Sequence, residues 1–472
     1  MENIRIQDDL YTYVNQAKLE ELVIPDDMPV AGGFAALRDD VEKLMIGEFN
    51  TMCKDAAYPN EYLERACTLF RLAKDVKRKK KHGIKPALKN LAVLKKLGTM
   101  RGYNLHAKEL ILKDINMPLN IMVEANMKDT THHCVMIQGA SVILPDVSYY
   151  KNEQQRDSML GMWSNFAKQV LAIAGHSEEQ CDALIKDTLA FDAIIAKYAK
   201  SQEEWSEYTK MYNPMKTGRV AGMVKPLNLK KLLTDIFGFV PEEIIVTEPR
   251  YFKNFKEIFN QDTFEIYKNW AYVTTLMGSC SLLSEELREL GGAFMRALSG
   301  IAAMSSAEKF AYQLASGMFS EPVGLYYGEK YFGEEAKKDI TEIVQQIVAT
   351  YQKRIAANDI LEQATKDKAI IKLNKMGLKL AYPDRVEEIY TKLVFDESKS
   401  LFDIVSSLRR IRMEENFAKL NKEVDRTHWA MPGHMVNACY DPFVNDITFP
   451  AAILQPPFYS INQTRSENLG GI

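Results

Sequence analysis

Apolar residues recur along most of this chain at the spacing of one helical face. In KKDITEIVQQIVATYQKRI, residues 337–355, Ile340, Ile343, Val344, Ile347, Tyr351 and Ile355 follow the i, i+3, i+4, i+7 pattern. SLFDIVSSLRRIRMEENFAKL repeats it with Leu401, Ile404, Val405, Leu408 and Ile411. Between them QATKDKAIIKLNKMGLKLAYPD reads as a helix, with Gly377 placed to cap its C-terminus and Pro383 unable to continue it. Similar patterns predict helices over about 34–75, 157–200, 254–275, 283–318 and 385–395.

Strand patterns are fewer. NIMVEANM near residue 120 and HCVMIQGASVIL from His133 favour β structure. VNACY and ITFPA flank DPFVND, a connector rich in Asp, Asn and Pro, and predict a hairpin or two neighbouring strands. Pro450 lacks a backbone donor, which suits the end or edge of a strand. The pattern changes near residue 425, from helices to strand and loop.

Composition bounds this picture without deciding it. The 472 residues carry 46% hydrophobic and 26% charged residues, ordinary for a globular chain of several domains. A net charge of -3 offers no reason to expect nucleic acid or an acidic membrane as partner. The N-terminus interleaves charge with apolar residues and lacks the apolar stretch of a signal peptide. The six cysteines are dispersed with no CxxC pair, which points to a reduced, cytoplasmic protein.

Candidate chemistry is sparse. His132, His133 and Cys134 are consecutive, and on a strand they alternate faces, so they make a poor ligand set. His428 and His434 match neither a helical pair nor a zinc loop, which points to packing or surface roles. The basic run VKRKKKHGIK from Val76 reads as a solvated helix end. The pairs Gly32–Gly33, Gly291–Gly292 and Gly470–Gly471 mark turns or close packing. GxGxxG, GxxxxGK[ST] and GxSxG are absent, and no metal ligands or catalytic groups can be assigned.

One ordered set of blocks changes this reading. VNA-x-Y, ITFPAAILQPPFYS and NLGGI follow one another near the C-terminus. IQDDLYTYVN, VIPDD, GGFAALRDDVE, QGASVILPDVSYY, EEWSEYTKMYNP, VGLYYGEKYFGEEAKKD and KLNKMGLKLAYPD precede them in order. Together they resemble the neprilysin family of zinc endopeptidases, and most closely its bacterial oligoendopeptidase O type. The resemblance implies a mainly α fold, with a large helical lid domain plus the truncated start of a thermolysin-like α/β catalytic domain. Implied boundaries are residues 1–25 as an N-terminal segment packing on the catalytic domain and 26–395 as the lid. Residues 396–472 would supply linking helices and the first catalytic-domain strands.

The implied activity is zinc-dependent cleavage of short peptides on the amino side of hydrophobic residues. Asn437 and Ala438 match the strand that grips the peptide backbone, although an ordinary edge strand is the competing reading. Ile453 and Phe458 match the apolar pocket for the side chain after the cleaved bond. Phe34 and Arg38 match a second wall, where Arg38 would meet a substrate carboxylate or carbonyl; pairing with Asp39 or Glu42 is its alternative. The family's HExxH motif would follow shortly after Gly470–Gly471–Ile472, and none of the seven histidines forms one. The expectation is therefore zinc in the complete enzyme, none bound by this chain, and an inactive chain whose missing partner is the C-terminal catalytic portion. The alternative is a truncated homologue that binds peptides or a partner without cutting. Val30, Cys439 and the KLEEL segment near Leu19 depart from the family pattern.

Overall fold

The computed structural model describes residues 4–472, and residues 1–3 of the expected N-terminal segment lie outside the described residues. Helices make up 61% of the chain, so the mainly α expectation holds. Two of the long predicted helical runs break where a polar side chain starts a new helix. Helices Gly33–Asp55 and Glu61–Lys74 divide at Asn60, whose side chain accepts the Tyr62 and Leu63 N–H groups. Helices Glu153–Ile173 and Glu178–Ala196 divide at Ser177, which forms a capping box with Gln180.

The core is continuous across the helical body and is richest in aromatic side chains. Tyr103 lies 4.8 Å from Phe259, and Phe259 lies 5.0 Å from Tyr267, ring centre to ring centre. All three are fully buried, and such tilted contacts stabilise beyond the area they bury. Helix 333–357 buries Ile340, Ile343 and Val344 but exposes Tyr351. Its predicted apolar face is thus covered only over the first half.

Two small sheets punctuate this body. Strands β1 (Leu119–Asn126), β2 (Asp129–Gly139), β3 (Pro214–Lys216) and β4 (Glu243–Val246) form one in the order β1-β2-β4-β3. Strand β2 stops at Gly139, short of the predicted Leu144. Beyond it side chains take over the backbone donors: Ile143 N–H donates to Asp192 at 2.9 Å and Leu144 N–H to the Tyr150 hydroxyl at 3.3 Å. The block LPDVSYY therefore closes a polar lock around a buried carboxylate.

Strands β5 (Gly377–Ala381), β6 (Cys439–Asp441) and β7 (Asp446–Pro450) form the second sheet, in the order β5-β7-β6. The predicted hairpin is β6–β7, antiparallel, with Cys439 opposite Thr448 and Asp441 opposite Asp446. Pro450 ends β7, but β7 is the central strand, so of the two predicted placements only the strand end holds.

Three segments depart from the sequence expectation. Gly377 does not cap a helix: helix Gln363–Asn374 ends earlier, and Gly377 opens β5 beside β7. A Cβ there would collide with the Asp446 carboxylate, so the glycine serves sheet packing. The predicted helix over 385–395 shrinks to the single turn Ile389–Lys392. The basic run from Val76 is not merely solvated. Lys79 is buried in an ion pair with Glu285, 5.3 Å over the Phe310 ring, and Arg78 donates to the carbonyls of Glu397 and Lys399.

Candidate functional site

The second sheet leaves one side of β6 unpaired, since among the described residues β6 bonds only to β7. Asn437 and Ala438 lead directly into this edge. Asn437 is exposed, and its side-chain oxygen accepts the Ala438 N–H at 2.8 Å. The segment 431–436 before it is pinned to the helical body. Gly433 packs against Gly324 of helix Ser320–Tyr327 so closely that a Cβ on Gly433 would lie 2.5 Å from the Gly324 carbonyl oxygen. Ala452 N–H donates to the Gly433 carbonyl at 2.9 Å, tying the turn after β7 to the same segment.

That turn, residues 451–459, carries Ile453 and Phe458. Ile453 is half-buried against the core and Phe458 half-buried above it. Helix Arg465–Gly471 returns under the turn. A Cβ on Gly471 would collide with the Phe458 carbonyl, so a residue without a side chain is needed for this approach.

The other wall begins at the N-terminus of helix Gly33–Asp55. Phe34 stacks on Phe458 with ring centres 5.3 Å apart and planes inclined by 9°. Residues more than four hundred positions apart thus meet face to face, although Phe34 remains 56% exposed. Arg38 lies one helical turn further along the same face. It is exposed and forms no ion pair or hydrogen bond among the described residues. Both alternative partners are engaged elsewhere: Asp39 with Lys43 at 2.5 Å, and Glu42 with Lys309 at 3.5 Å.

Chemically this is an open main-chain edge beside an apolar shelf, with a free guanidinium on the facing helix. It fits an extended peptide better than a compact ligand. It does not fit zinc. The six residues supply one amide oxygen, one guanidinium and apolar side chains, where a zinc site needs His, Cys or carboxylate donors.

The histidines follow the packing roles expected of them in part. His133 Nδ1 contacts the Lys422 carbonyl at 2.8 Å and His132 Nδ1 the Asp129 carboxylate at 2.7 Å. Cys134 is half-buried, and its thiol is pushed up to about 12 by burial. His434 Nδ1 is buried without a partner among the described residues, and burial holds that imidazole down to about 4. His428 behaves differently: it pairs with Glu387 beside Glu321, a grouping that spacing in the sequence does not reveal.

Comparison with known proteins agrees with the resemblance. Models of Peptidase family M13 match residues 6–383 and 437–472. The neutral endopeptidase of Lactococcus lactis subsp. lactis is 35% identical over 470 residues, covering 99% of this chain and 74% of that protein. The neutral endopeptidase of Lactobacillus helveticus is 35% identical, covering 100% of this chain and 73% of its own length. A crystal structure of PepO from Lactobacillus rhamnosis superposes with a TM-score of 0.94 at 33% identity, covering 99% of this chain and 74% of that one. The Mycobacterium tuberculosis zinc metalloprotease ZMP1, in complex with an inhibitor, superposes with a TM-score of 0.89 at 25% identity, covering 99% and 71%.

Proposed function

Starting from a chain that belongs to peptidase family M13, neprilysin-like in its sequence blocks, we propose that these residues form the substrate-holding part of a zinc endopeptidase. Its substrates are short peptides, cut on the amino side of hydrophobic residues. The observation that carries this reading is the Phe34–Phe458 stack, which sets the helical wall against the apolar shelf. A peptide laid antiparallel along β6 would exchange main-chain hydrogen bonds with it, whatever its sequence. Asn437 and Ala438 would hold the backbone near the scissile bond. The side chain after that bond would enter the shelf of Ile453 and Phe458, where burying a Phe or Leu contributes about 1.5–3 kcal/mol. Arg38 would receive the peptide's terminal carboxylate as a forked, charge-assisted pair.

In this reading a bound zinc ion would supply Lewis-acid polarisation of the scissile carbonyl and an activated water, and the His pair of HExxH that would hold it is not among the 472 residues. These residues therefore bind peptide and do not cut it. The six cysteines, all unpaired, support a cytoplasmic location, and no helix among the described residues is long and apolar enough to cross a membrane.

The test is fluorescence anisotropy of this chain with a labelled pentapeptide carrying a central Phe. Saturable binding is expected, weakened about tenfold by Asn437→Ala and by Arg38→Ala, and by Asp in place of the central Phe. Binding indifferent to all three changes would refute the assignment. Hydrolysis by this chain alone would refute the separation of holding from cutting.

A further inference from the structure

We infer that Glu321, Glu387 and His428 bind a divalent transition-metal cation that fastens the approach to β6 onto the helical body. The three side chains come from separate segments. Glu321 lies on helix Ser320–Tyr327, Glu387 in the connection after β5, and His428 in the loop that leads through Gly433 to Asn437. One ligand atom from each lies within 4.8 Å of the other two. His428 Nδ1 contacts Glu387 Oε1 and stands 3.9 Å from Glu321 Oε1. Metal–ligand bonds near 2.1 Å place two ligands of a tetrahedral centre about 3.4 Å apart.

Glu321 shows what the group lacks. Its side chain is only 7% exposed, a depth at which carboxylates are normally paired. Oε2 accepts the Glu387 N–H at 2.9 Å, and Oε1 accepts no hydrogen bond among the described residues. Arg412, on the facing helix Leu401–Ala418, forms no ion pair with Glu321 among the described residues. Its guanidinium lies 5.2 Å over the Tyr390 ring and donates to the Met318 carbonyl. Two carboxylates and one imidazole, brought together from three segments, make a mixed oxygen and nitrogen donor set of the kind that divalent cations take.

Access and donor chemistry agree with this. Glu387 is 29% and His428 47% exposed, and both line a cavity of about 660 Å³ between β1–β2 and the second sheet. A cation therefore has an entry path and open positions for water. One imidazole nitrogen with carboxylate oxygens suits Zn²⁺ or Mn²⁺ rather than a thiolate-seeking ion. The site departs from the expectation that this chain binds no metal. It does not depend on the peptide-holding reading.

The test uses this chain after chelator treatment and dialysis, titrated calorimetrically with ZnCl2 and with MnCl2. Bound metal is then measured by mass spectrometry after desalting. One equivalent of at least one ion is expected, together with a higher thermal midpoint. His428→Ala and Glu387→Gln should each weaken binding about tenfold or more and abolish the thermal shift. Both positions are partly exposed, so these variants keep the test valid should Glu321→Gln fail to fold. No binding of either ion, or affinity within twofold of the original in His428→Ala, would overturn the inference and leave an ordinary His–carboxylate pair.

Discussion

Truncating the Phe34 ring tests whether the helical wall and the apolar shelf meet in solution. Phe34 is 56% exposed, so Phe34→Ala gives up a little under half of a phenylalanine's burial. At about 3 kcal/mol for the whole side chain this is roughly 1 kcal/mol. Phe458, half-buried, should cost slightly more. The informative quantity is the coupling between them. Aromatic pairs contribute about 0.5–1.5 kcal/mol beyond area, and this pair, near-parallel at 5.3 Å and partly in water, belongs at about 0.5–1 kcal/mol. The assay is a double-mutant cycle over the original chain, Phe34→Ala, Phe458→Ala and the double variant, by urea unfolding. Two spectroscopic probes must give one transition for the energies to be comparable. Phe34→Leu retains apolar area without the ring and should lose most of the coupling. A coupling of zero, with each single variant destabilised, would refute the reasoning: both rings would then be packed, but not on one another.

Asp192 is fully buried, and burial pushes its carboxyl up to about 7 against the opposing hydrogen bonds from Tyr150 and the Ile143 N–H. A folded pKa above the unfolded value of about 3.9 means stability is fully present below pH 4 and is lost as pH rises to about 7, by up to roughly 4 kcal/mol; Asp192→Asn should flatten that slope in urea titrations. His434 works in the opposite sense. Its imidazole, held down to about 4, contributes stability above pH 6.5 that is lost as pH falls. Amides of residues 433–438 should therefore exchange faster at pH 5 than at pH 7 after correction for intrinsic rates, and equal protection would count against this. Gly324→Ala places a methyl group against the Gly433 backbone, which cannot move aside as a side chain can. The expected cost is about 1–3 kcal/mol by urea unfolding, and a loss below about 0.5 kcal/mol would show that the contact is loose.

Local pattern carried much of the architecture into the sequence. The apolar spacing of Leu401, Ile404, Val405 and Leu408 predicts a buried helical face, and all four are buried. The polar connector DPFVND announces the β6–β7 hairpin, because a reversal between two β-favouring runs needs only local chemistry. The rim residues were legible as family blocks rather than as chemistry. Nothing in the spacing of Phe34, Arg38, Asn437, Ala438, Ile453 and Phe458 says that they share a surface.

Sequence by itself determined the helical character, the hairpin, the family and the absence of HExxH from these residues, since each is written in short runs of neighbouring positions. Tertiary structure alone decided what those runs do when brought together. Gly377 read as a helix cap and became a strand start, because Asp446, far along the chain, fills the space a Cβ would need. Lys79 read as solvated and became buried, because Glu285 supplies its counter-charge. The Glu321–Glu387–His428 cluster spans separations of 66 and 41 residues, which no periodicity can encode. Hydrophobic patterning specifies which face is buried, but side-chain partners that are distant in sequence are chosen by packing.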